Sequence, residues 1–197
     1  MHANLLRVAI LRSLTVLAVL TVLGFAASAH AAVVSYVATL SGLNESPPNA
    51  SPGFGSAVVD VDAVAHTMRV RVTFGGLLGN TTASHIHAPT LVAGTGTAGV
   101  ATTTPYFAGF PIGVTAGTYD NTLDMTQASS YNAAYITAQG GTVALAEVAL
   151  EQAIADDKAY LNIHSTVYTG GEIRGFLVLA STPAEASTWG RVRALYR

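Results

Sequence analysis

The sequence contains no cysteine, so the fold cannot rely on disulfide bonds and must be stabilised by its core, alone or with a bound ion. Charged residues are also scarce, at 10% of the 197 residues. Between positions 33 and 182 the basic residues are Arg69, Arg71, Lys158 and Arg174. Because neutralising a phosphate backbone requires a stripe of Lys and Arg, we expect no nucleic-acid partner.

Familiar catalytic motifs are missing as well. No serine lies in a nucleophile-elbow sequence, and no glycine pair is accompanied by the lysine of a phosphate-binding loop. We therefore expect that the chain is not an enzyme. Apolar residues and glycine, in contrast, are abundant. Hydrophobic residues make up 50% of the chain and glycine occupies 19 positions, which is typical of a turn-rich folded domain.

The first 31 residues have the pattern of a secretory signal peptide. Arg7 and Arg12 precede an apolar run over residues 14–27, and small residues follow. Cleavage is expected between Ala31 and Ala32, or alternatively after Ala29. The competing interpretation is a membrane anchor, but the run is shorter than the roughly 20 residues that span a bilayer. We expect a secreted or periplasmic protein without a membrane span after cleavage.

Alternation of apolar and polar residues predicts antiparallel β-structure from residue 33 onward. In the clearest segment, residues 67–74, the even positions from Met68 to Phe74 are apolar and the odd positions are Thr or Arg, as in a half-exposed hairpin strand. Other strands are predicted over residues 33–40, 56–62, 83–89, 117–125, 158–164 and 172–179. The proline-rich residues 42–55 predict a loop.

Two helices are predicted in the second half of the chain. Residues 129–139 form a short helical segment ended by Gly140-Gly141, and Thr142 can cap a helix from residue 143 to about 155. Because runs of strands without alternating helices are typical of sandwiches, the pattern predicts a mainly β fold of about seven strands with a short helical insertion.

Five segments, in this order, resemble the CHRD (chordin-type) domain family: residues 37–42 (VATLSG), 73–77 (TFGGL), 84–87 (SHIH), 160–165 (YLNIHS) and 170–175 (GGEIRG). The family occurs in chordin and in many bacterial secreted proteins. The resemblance implies an antiparallel immunoglobulin-like β-sandwich or barrel, which we place at residues 32–181. After His87 the family usually has glycine, whereas this chain has Ala88-Pro89.

The last 16 residues, 182–197, have two interpretations. They resemble the PEP-CTERM sorting signal of bacterial proteins, with basic residues at Arg191, Arg193 and Arg197, but they lack an intact Pro-Glu-Pro and the following apolar helix. The other interpretation is a disordered tail, which is common at chain ends.

A histidine pair is the strongest chemical signal. His85 and His87 lie two apart on a predicted strand, so both imidazoles point to one face, about 7 Å apart along the chain. His164 lies on another predicted strand, with Asn162 on the same face, and can supply a third nitrogen of the kind that copper or zinc prefers. His66 lies in a predicted turn and is a poor fourth ligand. We expect the first three histidines to converge in space.

The same histidines have a structural interpretation, in which they hydrogen-bond backbone carbonyls or hydroxyls and hold loops against the sheet. Glu172 and Arg174 are expected to pair with each other or with neighbours. Four acidic residues occur in close pairs near turns and are either solvated turn residues or weak calcium ligands: Asp60, Asp62, Asp120 and Asp124.

Two functional hypotheses follow. In the first, the chain is a secreted, non-enzymatic CHRD-like binding or scaffolding module, whose partner is a protein or polysaccharide of the cell envelope or extracellular space. In the second, it is a copper- or zinc-binding domain that uses His85, His87 and His164. No other cofactor is implied. Near-stoichiometric metal in the purified, dialysed protein is expected only under the second hypothesis.

Overall fold

The computed structural model describes residues 33–181. The predicted signal peptide, residues 1–31, and the predicted tail, residues 182–197, lie outside the described residues. The strands are β1 Val34–Ser41, β2 Phe54–Asp62, β3 Thr67–Gly75, β4 Thr81–His87, β5 Gly117–Asp124, β6 Tyr160–Ser165, β7 Ile173–Phe176 and β8 Val178–Leu179. The helices are α1 Ala133–Ala138 and α2 Val143–Ala155. Within residues 33–181 neither helix is long and apolar enough to cross a membrane.

The strands form one curled antiparallel sheet in the order β4-β6-β7-β1-β2-β3-β5, with β8 paired to β1. The irregular segment between β4 and β5 follows the outer edge of β4, where its amides donate to the carbonyls of Thr81, Ser84 and Ile86. Since this segment then enters β5 at the other end of the strand order, it connects the two edges of the sheet. The predicted mainly β, sandwich-like or barrel-like class is confirmed.

The core lies on the concave side of the sheet. Alternate residues of β3, from Met68 to Phe74, are at most 3% exposed, as their pattern predicts. On β6 the core residues are Leu161 and Ile163, and α2 adds Leu150 and Ile154, all at most 1% exposed. Because side chains alternate along a strand, the even-numbered residues of β6 point to the opposite face of the sheet.

Several boundaries differ from the sequence prediction. β2 begins at Phe54, inside the predicted loop, and β4 covers Thr81–His87 instead of 83–89. The closing strand is split at Leu177, whose N–H donates to Ala159 instead of continuing the ladder. The helix predicted over 129–139 is shorter, because Asn132 accepts a hydrogen bond from the amide of Ala134 and starts α1 there. The cap predicted at Thr142 is confirmed, with its hydroxyl accepting from Leu145 at 3.3 Å.

Candidate metal centre

The pairing of β4 with β6 places the three histidines on one face. His85 lies opposite Asn162, His87 lies opposite Tyr160, and Ala83 lies opposite His164. Residues directly opposite each other in an antiparallel pair point to the same side of the sheet. All three histidines therefore project away from the core, onto the outer face of the two strands.

The three imidazoles converge, as the sequence analysis predicts. The ring centroids of His85 and His87 are 4.6 Å apart, and those of His85 and His164 are 4.8 Å apart. One ring nitrogen from each residue lies within 4.8 Å of those from the other two. Among the described residues, these three form the one group of at least three His, Asp or Glu side chains close enough to share an ion.

Two of the rings are oriented by backbone carbonyls. His87 Nδ1 lies 2.8 Å from the carbonyl oxygen of Ala98, and His164 Nδ1 lies 2.9 Å from that of Thr169. A carbonyl oxygen can only accept, so each Nδ1 carries the proton and donates it. This tautomer leaves a lone pair on Nε2 of both rings.

Three of the four remaining ring nitrogens are buried without a partner. Nδ1 of His85, Nε2 of His87 and Nε2 of His164 are buried and make no hydrogen bond within the described chain. Burial lowers the pKa of His85 to about 3, helped by the neighbouring His87 and His164, and lowers the pKa of His87 to about 4. Burial also lowers the pKa of His164. At neutral pH the rings are thus uncharged, which is the form that binds a metal ion.

The cluster needs little movement to accept an ion. For three atoms that lie within 4.8 Å of one another, a point exists that is at most 4.8 Å divided by √3, or about 2.8 Å, from all three. A Zn–N bond is about 2.0–2.1 Å long. Each nitrogen would have to move by about 0.7 Å, which small side-chain rotations can supply. Carbonyl-bound histidines are also the usual arrangement around a metal, where the second nitrogen fixes the ring.

A second layer of side chains surrounds the cluster. The ring of Tyr160 stacks on His87, with centroids 4.7 Å apart and planes 7° from parallel. The guanidinium carbon of Arg174 lies 4.6 Å from the centroid of Tyr160. Asn162, between Tyr160 and His164 on β6, donates to the carboxylate of Glu45 at 2.9 Å, while its Oδ1 is buried and unpaired.

Gly171 makes room for this layer. Its φ is +133°, and an added Cβ would lie 2.7 Å from the amide nitrogen of Asn162 and 2.8 Å from a carboxylate oxygen of Glu45. Both the backbone conformation and the close approach therefore require glycine at this position. The second glycine of the GGEIRG segment thus allows the loop that carries Glu45 to pack against β6.

The other residues considered from sequence lie elsewhere. His66, with φ +52°, hydrogen-bonds the buried Glu147 of α2 at 3.0 Å and does not join the cluster. Glu172 and Arg174 do not pair with each other in the described chain: Glu172 accepts hydrogen bonds from Ser51 and Leu78, and Arg174 donates to the carbonyl oxygen of Asn44. They bond to neighbours, which was one of the two expectations.

The four acidic residues have partners within the protein. Asp60 pairs with Arg71 at 2.6 Å and Asp120 with Arg69 at 2.7 Å, both across strands. The remaining two accept hydrogen bonds from backbone amides in turns: Asp62 from Val64 and Ala65, and Asp124 from Thr126. The interpretation as turn and surface residues explains their contacts.

Four parts of the site were not predicted from the sequence: Glu45, Tyr160, Arg174 and the carbonyl of Ala98. Tyr160 could have been found, because it lies two residues before Asn162 and four before His164 on β6 and therefore projects from the same face. Arg174 lies opposite Asn162 on β7. No sequence pattern indicates that the loops holding Glu45 and Ala98 fold over the outer face.

Neither the curated proteins nor the solved structures contain a match. A family comparison matches the CHRD domain over residues 36–177, which runs from β1 to the end of β7 and includes all three histidines. The match covers most of the chain and agrees with the five segments identified from sequence. The chain belongs to the CHRD domain family.

Proposed function

We propose that this CHRD domain is an exported binding module that holds one copper or zinc ion on His85, His87 and His164. The observation that carries the proposal is the convergence of three histidines, each of which has a buried and unpaired ring nitrogen, with one ring nitrogen from each within 4.8 Å of those from the other two. Unpaired buried polar atoms are rare in folded proteins, and each calls for an explanation such as an ion or a water molecule.

The hydrogen bonds of the rings favour a cation over a purely structural cluster. A structural cluster would pair donors with acceptors, but His87 and His164 use their donors on the carbonyls of Ala98 and Thr169. The Nε2 lone pairs of His87 and His164 are then left without a hydrogen-bond donor in the described chain. A cation satisfies both, and the same carbonyl bonds orient the rings for it.

The ligand set favours copper or zinc. Three neutral imidazoles suit these metals, whereas calcium and magnesium require oxygen ligands. Three protein ligands also leave one coordination position for water or for a ligand from solution. Asn162, with its unpaired Oδ1 on the same face, is the nearest amide on β6 and is a candidate partner for a molecule in that position.

The domain is proposed to bind and not to catalyse. The proposal that it does not catalyse is supported by the absence of nucleophile-elbow and phosphate-loop sequences from the chain. The family match supports a binding module. Export is supported by the signal-like first 31 residues, and mass spectrometry of exported protein is expected to find an N-terminus near Ala32. Recovery of intact Met1 in the membrane fraction would contradict export by cleavage.

Metal titration of the untagged mature protein tests the site. Wild-type protein, first stripped with a chelator, is expected to bind one equivalent of copper or zinc saturably. His87→Ala and His164→Ala should each weaken binding by at least about 100-fold, since loss of even an outer partner of a metal ligand costs 10–100-fold. His66→Ala is the matched control, because this histidine pairs with Glu147 away from the cluster and its loss should leave the affinity unchanged.

Two further measurements make the result independent of folding defects. Circular dichroism is expected to show unchanged secondary structure in each variant, and electron paramagnetic resonance of the copper(II) form should show coupling to nitrogen ligands that decreases in His87→Ala. Equal and weak binding by wild type and by folded His87→Ala would refute the metal site and leave the histidines a structural role.

A further inference from the structure

A groove lies next to the histidine cluster and has its own polar lining. It encloses about 600 Å³, within the range of about 300–1,000 Å³ typical of small-molecule sites. Its lining includes Arg174, Glu45 and Phe176. The lining also includes residues with hydroxyl or amide side chains, Thr39, Asn44, Ser46 and Thr95, together with Pro48, Gly94 and Val178.

Arg174 is buried but incompletely bonded. The residue is 4% exposed, and its Nε donates to the carbonyl oxygen of Asn44 at 2.5 Å. Within residues 33–181 its Nη1 and Nη2 make no hydrogen bond, and the residue lines the groove. A buried guanidinium with two free donors side by side matches the two oxygens of a carboxylate.

The position of this guanidinium is fixed before any ligand binds. It stacks on the ring of Tyr160 at 4.6 Å and lies 5.8 Å from the centroid of Phe176, and these two aromatic rings are themselves 5.3 Å apart. Aromatic stacking holds the planar group in one orientation. Less side-chain entropy is then lost when a ligand is bound, which favours affinity.

Glu45 does not block an anion here. Its nearest carboxylate oxygen is 3.8 Å from Nε of Arg174, and its other oxygen accepts from Asn162. Burial raises the pKa of Glu45 to about 7, although Arg174 opposes that shift. Near neutral pH the carboxyl therefore exists partly in its protonated form, in which it can donate a hydrogen bond to an incoming acceptor.

We propose that the groove binds a uronic acid unit of an acidic polysaccharide, with the sugar carboxylate on Nη1 and Nη2 of Arg174. The lining of hydroxyl and amide groups can exchange hydrogen bonds with the sugar hydroxyls, and the ring of Phe176 can contact the apolar face of the sugar. The inference rests on the binding-module part of the proposed function, but it does not require the metal.

Calorimetric titration of the metal-stripped protein with oligogalacturonate tests the proposal. Saturable binding is expected, with methyl-esterified oligogalacturonate binding at least about tenfold more weakly because it lacks the charged acceptor. Arg174→Lys should weaken binding of the acid form to a similar extent, since lysine keeps the charge but loses the two parallel donors. Equal binding of the acid and ester forms, or an unchanged affinity in Arg174→Lys, would overturn the inference.

A second variant guards against misfolding at the buried arginine. Glu45→Gln removes a carboxylate near the ligand and keeps an oxygen for Asn162, so it should bind the acid form several-fold more tightly above pH 7; weaker binding would count against the proposal. Arg69→Gln, which changes an exposed arginine on β3, controls for general charge and should have no effect. If a peptide with a free C-terminus competes with oligogalacturonate and its C-terminal amide does not, the groove is a peptide site. This result would overturn the assignment to a uronic acid.

The two proposals fail in different ways. Uronate binding that persists in metal-stripped His87→Ala would support the groove even if no metal titration succeeds. Uronate binding that appears only after copper or zinc is added would place the carboxylate on the metal and overturn the role of Arg174.

Discussion

Glu45 makes the stability of this domain depend on pH in an unusual direction. It is 8% exposed, and burial raises its pKa from 4.5 to about 7 despite the opposing effects of Arg174 and of the hydrogen bond from Asn162. An acid with a raised pKa in the folded state contributes stability below the unfolded-state pKa, and this contribution is lost as the pH rises through the folded-state pKa. As the pH rises from 4.5 to about 7, the contribution of Glu45 to the stability of the folded protein should therefore decrease.

The magnitude follows from the size of the shift. A change from 4.5 to about 7, at 1.36 kcal/mol per pH unit, corresponds to about 3 kcal/mol, which is an upper value because the loop carrying Glu45 can relax. Glu45→Gln stays neutral at every pH and keeps the bond from Asn162. Relative to wild type, the free energy of unfolding of the variant should thus rise by up to about 3 kcal/mol from pH 4.5 to pH 8.

Urea denaturation of both proteins, stripped of metal, at half-unit steps from pH 4 to pH 8 measures this difference. The three clustered histidines titrate in both proteins and cancel in the comparison. Glu172→Gln is a control at a carboxyl whose pKa is shifted in the opposite direction. Burial alone would raise the pKa of Glu172, but hydrogen bonds from Ser165, Ser51 and the amides of Leu78 and Gly79 lower it. A difference between wild type and Glu45→Gln that stays flat across the range would refute the argument that burial dominates at Glu45.

Three other predictions concern the same region. Below pH 6.5 the unfolded chain binds more protons at His85 and His87, whose pKa values burial lowers to about 3 and 4. The metal-free Glu45→Gln variant, in which residue 45 no longer contributes the opposite pH dependence, should therefore become less stable from pH 6.5 towards pH 4, as measured by urea midpoints. Gly171→Ala should destabilise the protein by about 1–3 kcal/mol, because the residue has φ +133° and its new Cβ would meet Asn162 at 2.7 Å; an unchanged melting temperature would contradict this. Glu172→Ala should cost about 2–4 kcal/mol in urea denaturation, since it leaves the amides of Leu78 and Gly79 without an acceptor.

Periodicity was sufficient to predict the parts of the fold that one strand determines by itself. The alternation in residues 67–74 predicted the buried face of β3, and the two-residue spacing of His85 and His87 predicted that both rings share a face. The two-residue spacing of Asn162 and His164 also predicted that their side chains share a face of β6. In these segments side-chain direction follows from local geometry, which the sequence reveals directly.

Features that depend on contacts between distant segments were less accessible. The edge of β4 is covered by an irregular segment whose period gives no strand signal, although its amides bond to Ile86 and Ser84. The role of Ala98 depends on its backbone carbonyl, which any residue could supply. Glu45 lies in a proline-rich loop, 117 positions from its partner Asn162, so only the folded chain shows that the two meet.

The arrangement of the histidines links the stability of the domain to its proposed ligand. Each unpaired buried polar atom costs about 1–3 kcal/mol, and each of the three clustered histidines has one such nitrogen. The carbonyls that orient His87 and His164 belong to the segment after β4 and to the turn between β6 and β7. A metal that satisfies the nitrogens would thus stabilise both loops against the outer face of the sheet. Conversely, loosening either loop would rotate a ligand away from the ion, so local opening and metal release are expected to occur together.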